Sequence, residues 1–150
     1  MSTIKLFNSD NGFPHQTLEE VRSFLDPFPA GNLTTTEIRQ EWADRLGTDG
    51  WVSNYLLPNS RMHVSFWRSG FGLCVQLGNT CRANSDMLKL ETLFKLGRID
   101  AAALVVPTDS YSKFLGSNHA SVGTAERDLT VFDVTITLPI AVVGVEPERG

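Results

Sequence analysis

The sequence lacks any apolar run long enough to cross a membrane, and it has only two cysteines among 150 residues. A membrane helix needs roughly 18 consecutive apolar residues. The first five residues also lack the basic-then-apolar layout of a secretory signal. We therefore expect no membrane span and a cytoplasmic location. Cys74 and Cys81 are separated by six residues, which fits neither a CxxC metal pair nor a disulfide framework, so we expect reduced thiols.

Histidine is also scarce, and the three copies at positions 15, 63 and 119 are scattered. No HExxH, GxxxxGK or GxSxG motif occurs, which argues against a zinc protease, a phosphate-binding loop and an α/β-hydrolase. A nucleophilic pair of Cys74 and His63 would need a geometry that the sequence allows but does not imply. The spacing of the cysteines resembles no closed zinc site. We expect no metal ligands here and no cofactor.

Positive charge is in deficit over the whole chain but concentrated in its middle. Thirteen basic residues face 17 acidic ones, giving a formal charge of −4. This balance disfavours a protein that coats nucleic acid regardless of sequence, since that affinity comes mainly from basic side chains. Residues 61–98 hold six basic and two acidic residues, a local charge of +4, so the remainder carries −8. The segment fits a DNA-facing surface or, for Lys89 and Lys95, an ordinary solvated helix face.

Length and patterning predict one α/β domain over residues 1–150, because this chain can close one core but not two sizeable ones. The capping box of Thr17–Glu20 predicts a helix from Leu18 to Leu25, and that of Thr34–Glu37 predicts a helix ending at Gly47. Continuous apolar runs late in the chain are typical of strands covered on both faces. The remaining predicted elements are hairpin strands over 63–67 and 72–77, a helix capped by Asn84 or Ser85 and ending at Gly97, a strand over 101–106, a short helix near 125–130, and a strand over 136–145.

The order of these segments resembles one nuclease family. Cys74-Val75-Gln76-Leu77-Gly78-Asn79 precedes a helix and an apolar strand, and Val131-Phe132-Asp133-Val134 then leads into the last strand. This order resembles type II restriction endonucleases of the BglII kind, which belong to the PD-(D/E)XK nuclease superfamily, from about Trp51 to Glu146. The resemblance implies a restriction-endonuclease-like mixed sheet flanked by helices. It also implies a homodimer that binds double-stranded DNA and cleaves it with Mg²⁺.

The family's catalytic strand reads E-V-Q, and the matching positions here are Cys74 and Gln76. The family's other metal ligand is an aspartate nine residues before the glutamate, which falls on Ser65. The resemblance therefore implies a catalytic centre at Ser65, Cys74 and Gln76 that has lost both acids. Mg²⁺ prefers carboxylate and water oxygens over a thiol. Alternatively, Cys74 is a small core residue and Ser65 an ordinary strand residue. Asp86 and Glu91 are poor replacements, because a spacing of five turns them to different sides of a helix.

Residues that the family uses to contact bases have partial counterparts in this chain. Asn79 matches a loop position that reads a base edge, and Ser117 with Asn118 matches a Ser-Asn pair that enters the major groove; Arg82 lies in the basic segment beside them. An asparagine can pair bidentately with adenine. Gly, Ser and Asn are also what turns use, so a purely structural role is the alternative. Trp51 and Asn54 echo a W-x-x-N near the family's active site at a shorter spacing.

Two hypotheses follow. In the first, the chain is a catalytically degenerate restriction-endonuclease-fold protein that binds DNA or a host defence protein, as would suit phage or plasmid counter-defence. In the second, it is an active Mg²⁺-dependent type II endonuclease, with an unrecognised ligand set, an active partner subunit, or native acids replaced at these positions. The sequence favours the first, in which no Mg²⁺ is bound.

Overall fold

The structure is a computed structural model that describes residues 2–10, 12–47 and 49–148. Within these residues it contains one six-stranded mixed sheet flanked by five helices, which confirms the predicted α/β class. The strands are β1 (Thr3–Phe7), β2 (Val52–Leu56), β3 (His63–Arg68), β4 (Gly70–Val75), β5 (Ile99–Pro107) and β6 (Ile140–Val145). The helices are α1 (His15–Leu25), α2 (Thr35–Leu46), α3 (Thr80–Lys95), α4 (Asp109–Leu115) and α5 (Val122–Val131).

The strands lie in the order β1-β6-β5-β4-β3-β2. The three central strands β4, β5 and β6 pair in parallel, whereas the pairs β1–β6, β2–β3 and β3–β4 are antiparallel. Parallel neighbours require a crossover, and α3 supplies it between β4 and β5. The carboxyl ends of the parallel strands therefore meet at one edge of the sheet, and the loops that follow β4 and β5 emerge together there.

Each face of the sheet is covered by its own set of helices. Alternate residues of β5 show this, since Ala103 and Val105 belong to the buried cluster that contains α1 and α2. Leu104 and Val106 belong to the cluster that contains α3 and α5. A strand covered on both faces has no reason to alternate apolar with polar residues, so the continuous apolar run of β5 follows from its position.

Two helix starts differ from the prediction, and one agrees. The Thr34–Glu37 capping box is present, with the Glu37 N–H donating to Thr34 Oγ1 over 3.2 Å. Helix α1 begins at His15, after Pro14, and Thr17 lies inside its first turn, so the predicted cap is wrong. Helix α3 begins at Thr80, because Asn79 Oδ1 accepts the Cys81 N–H over 2.7 Å. This cap precedes the predicted one at Asn84 or Ser85 by more than a turn.

The predicted hairpin is confirmed as β3 and β4, which turn through Ser69. The sequence missed β1, β2 and α4. The last strand begins at Ile140 instead of Ile136, because the Thr137 and Leu138 N–H groups donate to the buried carboxylate of Glu91 and not to a neighbouring strand. Among the described helices, none combines the length and the apolarity that a bilayer crossing requires.

Candidate functional site

The candidate site lies at the carboxyl end of β4, where the β3–β4 ladder stops. The last residue pair of that ladder is Phe66 with Leu73. Beyond it, the Val75 N–H donates to Ser65 Oγ over 2.9 Å. The serine hydroxyl thus takes the acceptor position that a backbone carbonyl holds in a regular ladder. Ser65 is half-buried and lies on β3, beside β4; Cys74 is on β4, and Gln76 follows the last residue of that strand.

Cys74 is enclosed, with 1% of its surface exposed, and it belongs to the same buried cluster as Ala83 and Met87 of α3. Burial raises the pKa of the Cys74 thiol well above its ordinary value, and the nearby Asp86 carboxylate raises it further. The backbone N–H of Ser65 acts in the opposite direction. The thiol is therefore protonated at neutral pH. A protonated, enclosed thiol is neither a nucleophile nor a metal ligand.

Gln76 and Asp86 form a buried polar pair between β4 and α3. Gln76 Nε2 donates to Asp86 Oδ2 over 3.0 Å, and Gln76 Oε1 accepts the Gly78 N–H over 3.0 Å. A Cβ at Gly78 would lie 2.9 Å from Gln76 Oε1, so this tight turn favours glycine. The nitrogen and the oxygen of the Gln76 amide are thus both hydrogen-bonded within the fold. Gln76 fixes the turn that leads into α3.

Asp86 is the carboxylate whose charge acts on Cys74. Burial raises the pKa of Asp86, while the hydrogen bond from Gln76, the charge of Lys89 and the charge of Arg39 act to lower it. Lys89 Nζ lies 3.4 Å from Asp86 Oδ1. Glu91 points elsewhere and accepts hydrogen bonds from Thr137 and Leu138. The predicted separation of the two acids is confirmed, and only Asp86 faces the site.

Metal ligands do not converge here. In residues 2–10, 12–47 and 49–148, no three histidine, cysteine, aspartate or glutamate side chains are close enough together to hold a metal ion. Cys74 and Asp86 are neighbours, but Cys81 is exposed on the first turn of α3. The residues at this site therefore do not fit a Mg²⁺ ion, which needs several oxygen ligands.

No motif in the sequence singled out Arg39, yet α2 places it beside the site. Its positive charge acts on Asp86, and its Nε atom is buried without a hydrogen-bond partner among the described residues. Arg39 lines a cleft of about 360 Å³ together with Asn54, His63 and Ser65. Of the predicted W-x-x-N pair, Asn54 thus reaches this cleft. Trp51 instead packs edge-on against Phe71.

The four predicted DNA-contacting residues lie at the same edge of the sheet. The Thr80 N–H and hydroxyl both donate to the Asn118 carbonyl, over 2.8 and 2.9 Å, so the start of α3 is joined to the loop after α4. The Ala120 N–H donates to the Gly78 carbonyl over 2.7 Å, which makes a second link. The four side chains are exposed: Asn79, Arg82, Ser117 and Asn118. Asn79 also caps α3, so part of its hydrogen-bonding capacity is used within the fold.

A mixed sheet flanked by helices, with a hairpin that opens at a polar site on its edge, defines the restriction-endonuclease-like fold. The family model described as Restriction endonuclease BglII/BglIII matches residues 15–145. The chain belongs to this family.

Solved structures agree with this assignment at the level of the fold. Restriction endonuclease BglII complexed with a DNA 16-mer superimposes with a TM-score of 0.81 at 16% identity, over 99% of this chain and 77% of that one. Free BglII superimposes with a TM-score of 0.73 at 18% identity, over 99% and 80% of the two chains. No curated protein matches the chain.

Proposed function

We propose that this chain binds double-stranded DNA through the restriction-endonuclease fold without cleaving it. The observation that carries the proposal is the pair of side chains at the two expected acid positions. Cys74 is a buried, protonated thiol, and Ser65 is a hydroxyl already bonded to the Val75 N–H. Neither carries the negative charge that would balance a divalent cation.

The chemical consequence is a loss of metal-assisted hydrolysis. A divalent cation lowers the pKa of an attacking water and offsets charge that develops at the scissile phosphate, together worth several kcal/mol. Asp86 does not replace the missing acids, because its oxygens accept from Gln76 and approach Lys89. No cofactor enters this proposal.

Support for DNA as the ligand comes from the exposed edge of the sheet. Asn79, Arg82, Ser117 and Asn118 share one surface, since the loops that carry them are joined by hydrogen bonds. The related BglII structure was obtained with a DNA 16-mer. Asparagine and serine can bond to base edges, whereas arginine neutralises phosphates or reads guanine. Of the basic residues between Arg61 and Arg98, Arg82 lies on this surface, whereas Lys95 lies in the last turn of α3 and Arg68 pairs with Glu20.

An active site-specific endonuclease is the second candidate, and Asp86 is the observation that favours it. A carboxylate does lie beside Cys74 and Gln76, and movement of Lys89 would free one of its oxygens. In that case Mg²⁺ would be required, with further ligands from water, from a partner subunit or from DNA phosphate.

We propose a homodimer, as suits a family that reads two half-sites, and exposed apolar side chains of Leu88, Val131 and Val134 offer an apolar surface. A host defence protein is the alternative partner to DNA, in a role in phage or plasmid counter-defence.

Duplex binding in EDTA tests the proposal. Fluorescence anisotropy with a random-sequence 16-mer duplex and with a genomic pool should give an affinity that falls as salt rises, because released counterions drive nonspecific contact. Asn118→Ala and Arg82→Gln should weaken binding, whereas Lys95→Gln, at the far end of α3, should not. Absence of any salt-sensitive binding would refute DNA as the ligand and favour a protein partner. Pull-down against host nuclease complexes would then follow.

A further inference from the structure

A cleft beside Ser65, which we call the Arg39 cleft, lies between α2 and the strands β2 and β3. One wall is a face of α2 that carries Thr36 and Arg39, and the opposite wall comes from β2 and β3. Buried Phe66 and Val75 also line it. Its volume of about 360 Å³ is far above the roughly 10–15 Å³ that a cavity needs to hold one water.

The lining is rich in hydrogen-bond donors with free capacity. Ser65 Oγ accepts the Val75 N–H, so the hydroxyl hydrogen remains available to donate into the cleft. The Nε of Arg39 is buried and has no partner among the described residues. A buried donor without a partner is costly, so such a group in a folded protein calls for an acceptor. Asn54 and His63 add further polar groups from β2 and β3.

The charge of the lining is positive. No aspartate or glutamate is among its residues, and no carboxylate of the described chain lies within ion-pair distance of Arg39. The positive charge of Arg39 acts to lower the pKa of Asp86, but Asp86 already accepts a hydrogen bond from Gln76 and pairs with Lys89. Gln40, also in the lining, donates its amide N–H to Asp44. A ligand that enters the cleft thus meets a guanidinium that no acid neutralises directly.

We propose that the Arg39 cleft binds a phosphodiester group without a divalent cation. Arg39 supplies the positive charge, and Ser65 with Asn54 supplies hydrogen bonds. Arginine suits this role, because its planar fork bonds two phosphate oxygens at once. The identity of the phosphodiester as part of DNA rests on the proposed function, whereas anion binding by the cleft does not.

The first experiment uses dimethyl phosphate, the simplest phosphodiester, in EDTA at constant ionic strength. The ¹⁵N–¹H signals of arginine Nε groups are recorded during the titration, and the Arg39 signal is assigned as the one missing from Arg39→Gln. We expect a saturable shift of that signal, weakened in Ser65→Ala. A titration in which the Arg39 signal moves no more than in sodium chloride would overturn the proposal. Circular dichroism verifies that both variants are folded.

The second experiment measures duplex affinity in EDTA over a range of salt. Arg39→Gln should lower the slope of log K against log salt by about 0.9, the value expected for one lost phosphate contact. Arg39→Lys, which keeps the charge but not the fork, should restore the slope. Lys95→Gln is the matched control, because Lys95 is exposed at the other end of α3. An unchanged slope in Arg39→Gln would overturn the proposal.

The two experiments separate the cleft from the proposed function. If wild-type protein binds no duplex but dimethyl phosphate saturates the Arg39 signal, the cleft is an anion site and DNA is not its ligand. If duplex binding persists with a normal slope in Arg39→Gln and dimethyl phosphate has no effect, the DNA-binding proposal stands and the cleft proposal fails.

Discussion

Restoring a family-like acid at Cys74 should destabilise the protein until a metal ion is supplied. The thiol is 1% exposed, belongs to a buried cluster with Ala83 and Met87, and senses the negative charge of Asp86. Cys74→Glu therefore adds bulk to a close-packed site and places a second carboxylate near the first.

The expected cost has two parts. Overpacking a close-packed core costs about 1–3 kcal/mol. An uncompensated buried charge costs about 3–5 kcal/mol. Their sum of about 4–8 kcal/mol is a large share of the roughly 5–15 kcal/mol that stabilises a typical domain. Cys74→Gln separates the two, because it adds similar bulk without charge. Its cost should lack the charge part, and it should be independent of pH near neutrality.

The assay is urea unfolding of both variants and of Ser65→Asp/Cys74→Glu, with and without Mn²⁺. A cation that binds only the folded double variant stabilises it by about 2.7 kcal/mol at a hundredfold excess over its Kd. We expect this gain in the double variant and none in the wild type. Equal stability of Cys74→Glu and Cys74→Gln at pH 7, or no Mn²⁺ effect on a folded double variant, would refute the assignment of Ser65 and Cys74 to the two metal-binding positions.

Three further predictions concern the surroundings of the site. Burial raises the pKa of Asp86 from 3.8, so the folded state retains a proton that the unfolded state releases, and stability should fall as pH rises from 3.8 to the folded pKa. Asp86→Asn should remove this fall, measured as the urea midpoint between pH 4 and 7. An unchanged profile in Asp86→Asn would contradict the prediction. Glu91→Ala leaves the Thr137 and Leu138 N–H groups without their acceptor, so the free energy of unfolding should drop by about 2–4 kcal/mol. Duplex affinity should be retained, and a loss of DNA affinity in the folded variant would instead give Glu91 a role at the site. Asn79→Ala removes the cap of α3 and should cost about 1 kcal/mol, whereas Asn79→Asp should retain the cap, a contrast that thermal unfolding measures directly.

The sequence predicted the central elements because their signals are local. Helix α2 carries its own capping box, and β5 has the continuous apolar run of a strand covered on both faces. Strand β1 was missed because its five residues, Thr3–Phe7, are largely exposed on the edge of the sheet. Its partner β6 lies more than 130 residues away. Nothing in a short edge segment indicates pairing over such a distance.

In the site, too, residues close together in the sequence could be predicted to meet, whereas residues brought together by helix packing could not. Ser65, Cys74 and Gln76 could be predicted to lie near one another because they belong to, or directly follow, one hairpin of β3 and β4. Asp86 and Arg39 could not be assigned, because their place depends on how α3 and α2 pack on opposite faces of the sheet. The start of α3 was placed too late because Asn79, Asn84 and Ser85 are all good capping residues by type. The choice of Asn79 follows from the turn that Gln76 and Gly78 make after β4.

Incubation of the purified protein with plasmid DNA, in Mg²⁺ and separately in Mn²⁺, tests the central claim most directly. Products are resolved on a denaturing gel, with an EDTA lane as the control. Because the two expected metal-binding positions hold Ser65 and a buried Cys74 thiol, the protein should leave the plasmid intact in both metals. Discrete fragments that appear with either metal and vanish in EDTA would contradict the account.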